Sequence, residues 1–511
     1  MQTSRVPGRR PATALSRRDL LATGLLAALP ACAAEVDDPR ARWLHHTLVL
    51  DNQVFLERET DLTEGKFAVM SETLFALVRG TVPQFNADCM LPGGAARLRS
   101  DYLTSDTRTV AIIGDPHPEN LSSYRTAAGV MTLDFGDFDG ATYGPYLLDV
   151  RRFALSMWMA VEQARIDLSL TGSSAVPAEA DREQVVDAGV RAYAEEVARI
   201  AGGEPGILVD HQSSWGAIAD ELLERAALRG QQKDRLRDYT VLADGVRSLA
   251  FKDIAPKRTV RVGGHEKVVF SDTVVPISKA EQELVRGLFE EYRTTLIEPS
   301  LIPAGVARLV GFGRRLGAGV SSHPNPRYYV LVYGVGPEPD EAVLLEFKEV
   351  SDAAQLPGLE RFPDAPFASN AERVARQQRR LQGVVDADPW LGWATAGSQS
   401  FRVRERSGFQ RNFAIVRMAE GLHDGELTAT DVFEFSALAG RILARSHARA
   451  PTQSGSLAGP RIASALRGDV DGFAGETLSF VRRYTPVVLG DRERLRRLID
   501  ARGFRLGYRR A

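Results

Sequence analysis

At 511 residues the chain is longer than one ordinary domain, so two lobes, or a domain with additions, are expected. Its 44% hydrophobic and 25% charged content is that of a soluble globular protein, and a net charge of −2 gives no general attraction to nucleic acid or anionic membrane. The only two cysteines, Cys32 and Cys89, stand far apart, which excludes a disulfide framework and a cysteine-rich zinc site.

The chain opens on a basic stretch (Arg5, Arg9, Arg10, Arg17, Arg18) followed by a short apolar run over Leu20–Leu29, the pattern of an export signal across residues 1–34. Ser16-Arg17-Arg18-Asp19-Leu20-Leu21 is of twin-arginine type. Leu29-Pro30-Ala31-Cys32 is similar to a lipoprotein cleavage box, which would put a lipid anchor on Cys32; a plain cut after Ala33 or Ala34 competes with it. The apolar run is too short to span a bilayer as a mature helix. The expected location is periplasmic or membrane-anchored, with a basic tail on a cytoplasmic protein as the alternative.

Phe67, Met70, Leu74, Leu77 and Val78 stand at helical spacing and predict one helix over Lys66–Ala87. Near its end, Arg79 either meets a phosphate or pairs an acid. The next stretch, Ile112 to Arg152, holds the chemistry. Ile112-Ile113 runs into Gly114-Asp115-Pro116-His117-Pro118-Glu119-Asn120. A hairpin turning near Ala127-Ala128-Gly129 then returns through Val130–Leu133 to Asp134, Asp137 and Asp139. The 14 positions from Asn120 to Asp134 suffice for two short strands and a turn, which brings Asp115, Asn120 and Asp134 to one end. An acid that orients a hydroxyl, with an Asn and an Asp on a divalent ion, is what phosphoryl transfer requires. Such oxygen ligands suit Mg²⁺. The competing reading is an acidic surface loop of Ca²⁺-binding type in which His117 caps a turn.

Gly144-Pro145 turns the chain into a helix over Leu147–Ala164, and apolar stripes predict helices at Glu179–Ala201 and Ser214–Arg229. Thr259–Phe270 reads as a hairpin turning on Gly263-Gly264, and Ser278-Lys279-Ala280-Glu281 as a capping box that opens a helix to Ile297. After Pro303 strands take over: Val306–Val310, a glycine-rich loop over Gly311–Gly319, Tyr328–Tyr333, a turn at Pro337–Asp340, and Ala342–Phe347 leading to Lys348. A helix over Asn370–Val385 and strands at Phe401–Arg406 and Phe413–Met418 follow. Arg373, Gln378, Arg379 and Gln382 share one side of that helix, while Glu372 is either the partner of Lys348 or part of a cap. A long helix, Ala429–Arg449, then carries Leu438, Ile442, Leu443 and His447 on one face. On its own His447 reads as a packed, hydrogen-bonded histidine rather than a ligand.

G-D-P-H-P-E-N followed by L-D-F-G-D resembles the catalytic and metal loops of aminoglycoside and choline phosphotransferases, members of the protein-kinase-like fold. More closely, from Lys66 to about Asp500, the chain is identified as a member of the bacterial family catalogued as domain of unknown function 2252. The motifs are K-F-A-V-M-S-E-T-L-F-A-L-V-R-G, D-F-D (Asp137–Asp139), G-P-Y-L-L-D-V-R-R, E-F-K-E-V (Glu346–Val350), R-V-A-R-Q-Q-R-R-L-Q and L-A-R-S-H-A-R.

The resemblance implies an α+β, kinase-like two-lobe fold with added helices. Strand, glycine loop, strand, strand with lysine, helix and two strands is the order of a kinase N-terminal lobe. Lys348 would hold the phosphates of ATP, and backbone N–H groups at Gly311, Gly313 and Gly317 would cover them, with Arg314-Arg315 at the loop tip. Gly317 stands one residue later than the G-x-G-x-x-G pattern places its third glycine. Asp149 would brace the catalytic loop. In relatives of this fold a helix ending L-A-x-x-H-A comes just before that loop, so here the motif order is circularly permuted. Residues 35–300 would be C-lobe-like, 301–422 a nucleotide lobe and 423–511 a return to the C-lobe. The implied cofactors are ATP and Mg²⁺. Asp115 would act as base or orienter, His117 would order the loop, and Asn120 and Asp134 would hold the metal, with Asp137 as the alternative ligand. Arg379 would line the nucleotide pocket. The acceptor would be a hydroxyl compound or a protein side chain, with no nucleic-acid partner. The competing readings are an exported pseudokinase-like ligand-binding protein and a metal-dependent phosphohydrolase.

Overall fold

The computed structural model describes residues 38–126, 128–301, 308–333, 341–352, 367–384, 388–452 and 454–510. The expected export signal, Cys32 and the turn at Pro337–Asp340 lie outside the described residues.

The first helices are α1 (Pro39–Arg58), α2 (Thr60–Glu72), α3 (Leu74–Gly80) and α4 (Val82–Met90), so the single helix expected over Lys66–Ala87 is broken twice. Thr73 is extended and its hydroxyl accepts from Ala76 N at 3.0 Å, which ends one helix and caps the next. Pro83 then starts α4, where its missing N–H costs nothing. Four short strands follow: β1 (Val110–Ile112), β2 (Leu121–Arg125), β3 (Met131–Phe135) and β4 (Thr142–Gly144). Strands β2 and β3 form the expected hairpin, with Ser122 opposite Asp134, and β4 pairs with β1.

Helices α5 (Tyr146–Leu170), α6 (Asp181–Ala201), α7 (Ala217–Gln231) and α8 (Asp234–Tyr239) lead to two hairpins. These are β5 (Thr240–Ala243) with β6 (Val246–Leu249), and β7 (Pro256–Val262) with β8 (His265–Phe270). Then come β9 (Thr273–Val275), α9 (Lys279–Tyr292), β10 (Arg308–Leu316), β11 (Arg327–Tyr333) and β12 (Val343–Glu349). The rest are α10 (Asn370–Leu381), β13 (Gly392–Ala396), β14 (Gln399–Glu405), α11 (Ile415–Asp424), α12 (Ala429–Arg449), α13 (Gly459–Leu466) and α14 (Val470–Arg502).

The fold is α+β. Its main sheet has the order β13-β14-β12-β11-β10-β9, with neighbours antiparallel. The stretch Gly311–Leu316, expected as a loop, is strand β10, held between β9 and β11. The stretch Phe413–Met418, expected as a strand, opens helix α11.

Alternation along the strands gives the sheet two unlike faces. Tyr328, Val330, Leu345, Phe347, Phe401 and Val403 pack with Val285, Leu288, Phe289 and Tyr292 of α9. Arg327, Glu346, Lys348, Arg402 and Arg404 face the other way, toward β3 and the loop after it, and all are buried. A larger core joins α5, α6, α12 and α14 with the β2–β3 hairpin. Among the described residues no helix is long and apolar enough to cross a membrane.

Candidate functional site

The loop from Ile113 to Asn120 is fixed at its start by Asp149 on α5. Ile113 N donates to Asp149 Oδ2 at 2.6 Å and Gly114 N to Oδ1 at 2.9 Å. Gly114 has φ +85°, and a Cβ there would lie 2.2 Å from Gly140 O, so only glycine fits. His447 Nε2 lies 3.0 Å from Asp149 Oδ2, and its Nδ1 lies 2.9 Å from the Tyr193 hydroxyl. The end of α12 is thereby clamped to the start of the loop.

Asp115 Oδ1 accepts from Arg152 Nε at 2.8 Å, while Arg152 Nη2 donates to Val78 O at 2.5 Å. Burial raises the Asp115 pKa, against the pull of Arg152. His117 is buried, with its Nε2 3.7 Å from Asp115 Oδ2, beyond hydrogen-bond reach. Burial and the Arg79 and Arg152 charges hold its pKa well below the ordinary histidine value, so the ring is neutral and meets Phe75 edge-on. Its backbone shapes the loop instead, since Asn120 N donates to His117 O at 2.8 Å. Arg79 pairs an acid, Glu119, at 2.6 Å.

Asn120 and Asp134 do not meet the expectation that they hold a metal. The Asn120 amide nitrogen donates to Asp115 O at 3.2 Å and Asp137 O at 2.7 Å. Its oxygen accepts from Gly136 N at 3.1 Å and from Asp137 N, so both lone pairs are engaged. Asp134 is buried in an ion pair with Arg445 at 2.6 Å, and its oxygens also accept from Phe135 N and Gly383 N, each at 2.8 Å. Asn120 positions the following acids, and Asp134 ties β3 to α12.

The part-exposed acid is the alternative one. The Asp137 side chain is 44% exposed, and its oxygens lie 3.3 and 3.4 Å from Lys348 Nζ, which also contacts Asp139. Burial alone would raise Asp137, but Lys348, Arg402 and Arg404 outweigh it and hold the carboxyl below its ordinary range. Among the described residues no three His, Cys, Asp or Glu side chains converge as a complete metal site. Mg²⁺, however, is commonly held by one or two carboxylates, with water and substrate phosphate completing its shell. Asp137 and Asp139 fit that demand, because Asp139 Oδ1 is buried without a hydrogen-bond partner.

The remaining expected residues divide. Lys348 is brought to the acids Asp137 and Asp139. Gly311 and Gly313 lie within β10 and Gly317 just beyond its end, so they form no phosphate-covering loop. Arg379 turns to Glu298 at 3.1 Å and is not brought to the acids. Glu372 is spent in the cap of α10, accepting from Ala368 N at 2.7 Å. From the same helix Arg373 reaches Asp139 O at 3.2 Å, and Gln382, just past its end, reaches Phe135 O at 3.3 Å.

Arg152, Arg445 and Glu346 stand in the quoted motifs without an assigned role, and Arg327, Arg402 and Arg404 were not singled out. The period-two run Phe401-Arg402-Val403-Arg404 was the available sign of a charged inner face. Alongside that face a cavity of about 450 Å³ is lined by Tyr124, Leu236, Leu344, Glu405, Arg406 and Gln410. Burial and the Asp388 charge push Glu405 up to about 7.

A family model described as an uncharacterised protein conserved in bacteria (DUF2252) matches residues 58–497. No curated protein and no solved structure matches the chain.

Proposed function

The chain belongs to this bacterial family, and from its cleft we infer a kinase-like, nucleotide-dependent phosphotransferase whose segments follow a circularly permuted order. The observation that carries the reading is the meeting of Lys348 with Asp137 across 211 residues of sequence, beside a loop that Asn120 pins. In phosphoryl transfer a strand lysine holds phosphates, an acid on the facing lobe holds Mg²⁺, and another acid orients the acceptor. Lys348, Asp137 and Asp115 are the candidates for these roles, with Asp139 as a second metal ligand. Bound there, Mg²⁺ would neutralise charge on phosphate oxygens.

Arg152 fixes the direction of Asp115, whose raised pKa brings it nearer the range in which a carboxylate accepts a proton. The cavity beside Glu405 would take the nucleoside end. It is bounded by Leu344, four residues along β12 from Lys348, or about 13 Å. The clamp of His447 on Asp149 supports the permuted order, because it closes the join at which an unpermuted relative would be continuous. The acceptor is a hydroxyl group of a small molecule or a protein. Export of the folded, loaded protein remains part of the proposal, and N-terminal sequencing of native material tests it.

Thermal unfolding tests the site. ATP with Mg²⁺ should raise the Tm by several degrees at a ligand concentration about 100 times Kd, and ATP alone by less. Asp137→Asn should abolish the Mg²⁺-dependent part. Asp134→Asn should lower the Tm of the free protein yet retain it. A Mg²⁺ effect that persists in Asp137→Asn would sink the assignment. The ion pair between Arg152 and Asp115 favours a second reading, a non-catalytic nucleotide-binding relative; incubation with γ-labelled ATP and detection of transferred or released phosphate separates the two.

A further inference from the structure

The inner face of the main sheet carries buried cations that its own carboxylates do not fully partner. Arg327 of β11 pairs in register with Lys348 of β12, and Lys348 with Arg402 of β14, so three cations form one row across three adjacent strands. All three are buried, at 7%, 2% and 0% exposure.

With Arg315, Arg404 and Arg406 nearby, six cations face four carboxylates: Asp137, Asp139, Asp272 and Glu346. Asp388 and Glu405, at the edge of the same region, are pushed by burial toward their neutral forms. Arg402 is the sharpest case. None of its three guanidinium nitrogens has a hydrogen-bond partner, and its nearest carboxylates are Asp137 at 3.9 Å and Glu346 at 3.8 Å. Arg327 Nε is likewise unpartnered. A buried guanidinium without hydrogen bonds is costly, and its planar fork matches phosphate oxygens.

We propose that Arg327, Lys348 and Arg402 form a cradle for the phosphate chain of a polyphosphorylated ligand, in place of the backbone donors of a glycine-rich loop. The row spans two inter-strand spacings, about 10 Å. That is longer than one phosphoryl group needs, so the ligand class is a di- or triphosphate rather than a monophosphate. Asp137, which touches Lys348 in the middle of the row, is itself part-exposed. It deepens the phosphotransferase reading and rests on it for the identity of the ligand, though anion binding itself needs neither metal nor turnover.

Calorimetric titration of the full chain in EDTA, with inorganic phosphate, pyrophosphate and tripolyphosphate, tests it. Affinity should rise at least tenfold from phosphate to tripolyphosphate. Arg402→Gln should lower tripolyphosphate affinity by tenfold or more, and Arg402→Lys by less. Arg327→Gln, at the other end of the row, serves if Arg402→Gln does not fold. Equal affinity for phosphate and tripolyphosphate, or unchanged tripolyphosphate affinity in a folded Arg402→Gln or Arg327→Gln chain, would overturn the cradle. Metal-free binding that depends on Arg402, in a protein that never transfers phosphate, would leave the cradle standing and remove the kinase reading. Mg²⁺-dependent transfer indifferent to Arg402 and Arg327 would do the reverse.

Discussion

Glu405 couples the site to pH. Its carboxyl titrates near 4.5 in an unfolded chain and at about 7 in the folded one, because burial and Asp388 disfavour its charge. Between those values the folded state holds the extra proton, so this contribution to stability is present at low pH and is lost as pH rises through 7. Glu405→Gln should therefore stabilise the protein by about 1–2 kcal/mol at pH 8, after allowance for partial solvent access, and change nothing at pH 4. Urea denaturation at the two pH values reads the difference; equal effects at both would refute the shift. Asp134 differs in kind. Its partner Arg445 is also buried, so Asp134→Asn leaves a guanidinium with a weakened partner and should cost about 3 kcal/mol.

The main sheet shows how far local pattern reaches. Alternation in Leu344–Lys348 and Phe401–Arg404 was visible in the sequence, and so was the lysine strand. The glycines of β10 misled, because a glycine pair resembles a loop until its neighbours are known. A Cβ on Gly313 would lie 2.7 Å from the Phe251 ring and 2.8 Å from Val274, so close packing, not a turn, requires glycine there. Gly311 has no atom within 4 Å of such a Cβ. Gly313→Ala should thus destabilise by about 1–3 kcal/mol. Gly311→Ala should be neutral, or stabilising by up to about 1 kcal/mol, and should leave nucleotide binding intact. Weakened nucleotide binding in Gly311→Ala would restore the loop reading. Helix α11 was misjudged for a similar reason, since a short apolar run does not declare its period. Helices α6, α9 and α12, with longer stripes or caps, were legible to within a few residues at most ends.

Across the whole molecule, sequence reasoning grouped the acids but could not choose among them. Asp134 and Asp137 are three positions apart, and only Arg445 and Lys348, more than two hundred residues away, separate anchor from candidate ligand. The body is closed at its other end in the same long-range manner. Arg40 of α1 pairs with Asp88 of α4 and Asp491 of α14, each at 2.6 Å. Arg40→Met should leave both acids without their main partner and lower global stability by about 3 kcal/mol. The loss should appear in a single unfolding transition followed by tryptophan fluorescence; an unchanged main transition preceded by a small separate one would show that α1 is peripheral.

The attachments of the loop at Ile113–Asn120 also impose an order in time. A ribosome builds Asp115, Asn120 and Asp137 early, but Lys348, Arg445 and His447 emerge hundreds of residues later. At about 5–20 residues per second, the acids wait roughly 15–60 s for the partners that clamp Asp149 and neutralise Asp134. Until α12 has been made, Asp134 lacks Arg445 and Asp149 lacks His447, although Asp115 already has Arg152. Any ligand that needs Lys348 and Asp137 together can be captured only once about two thirds of the chain has been made.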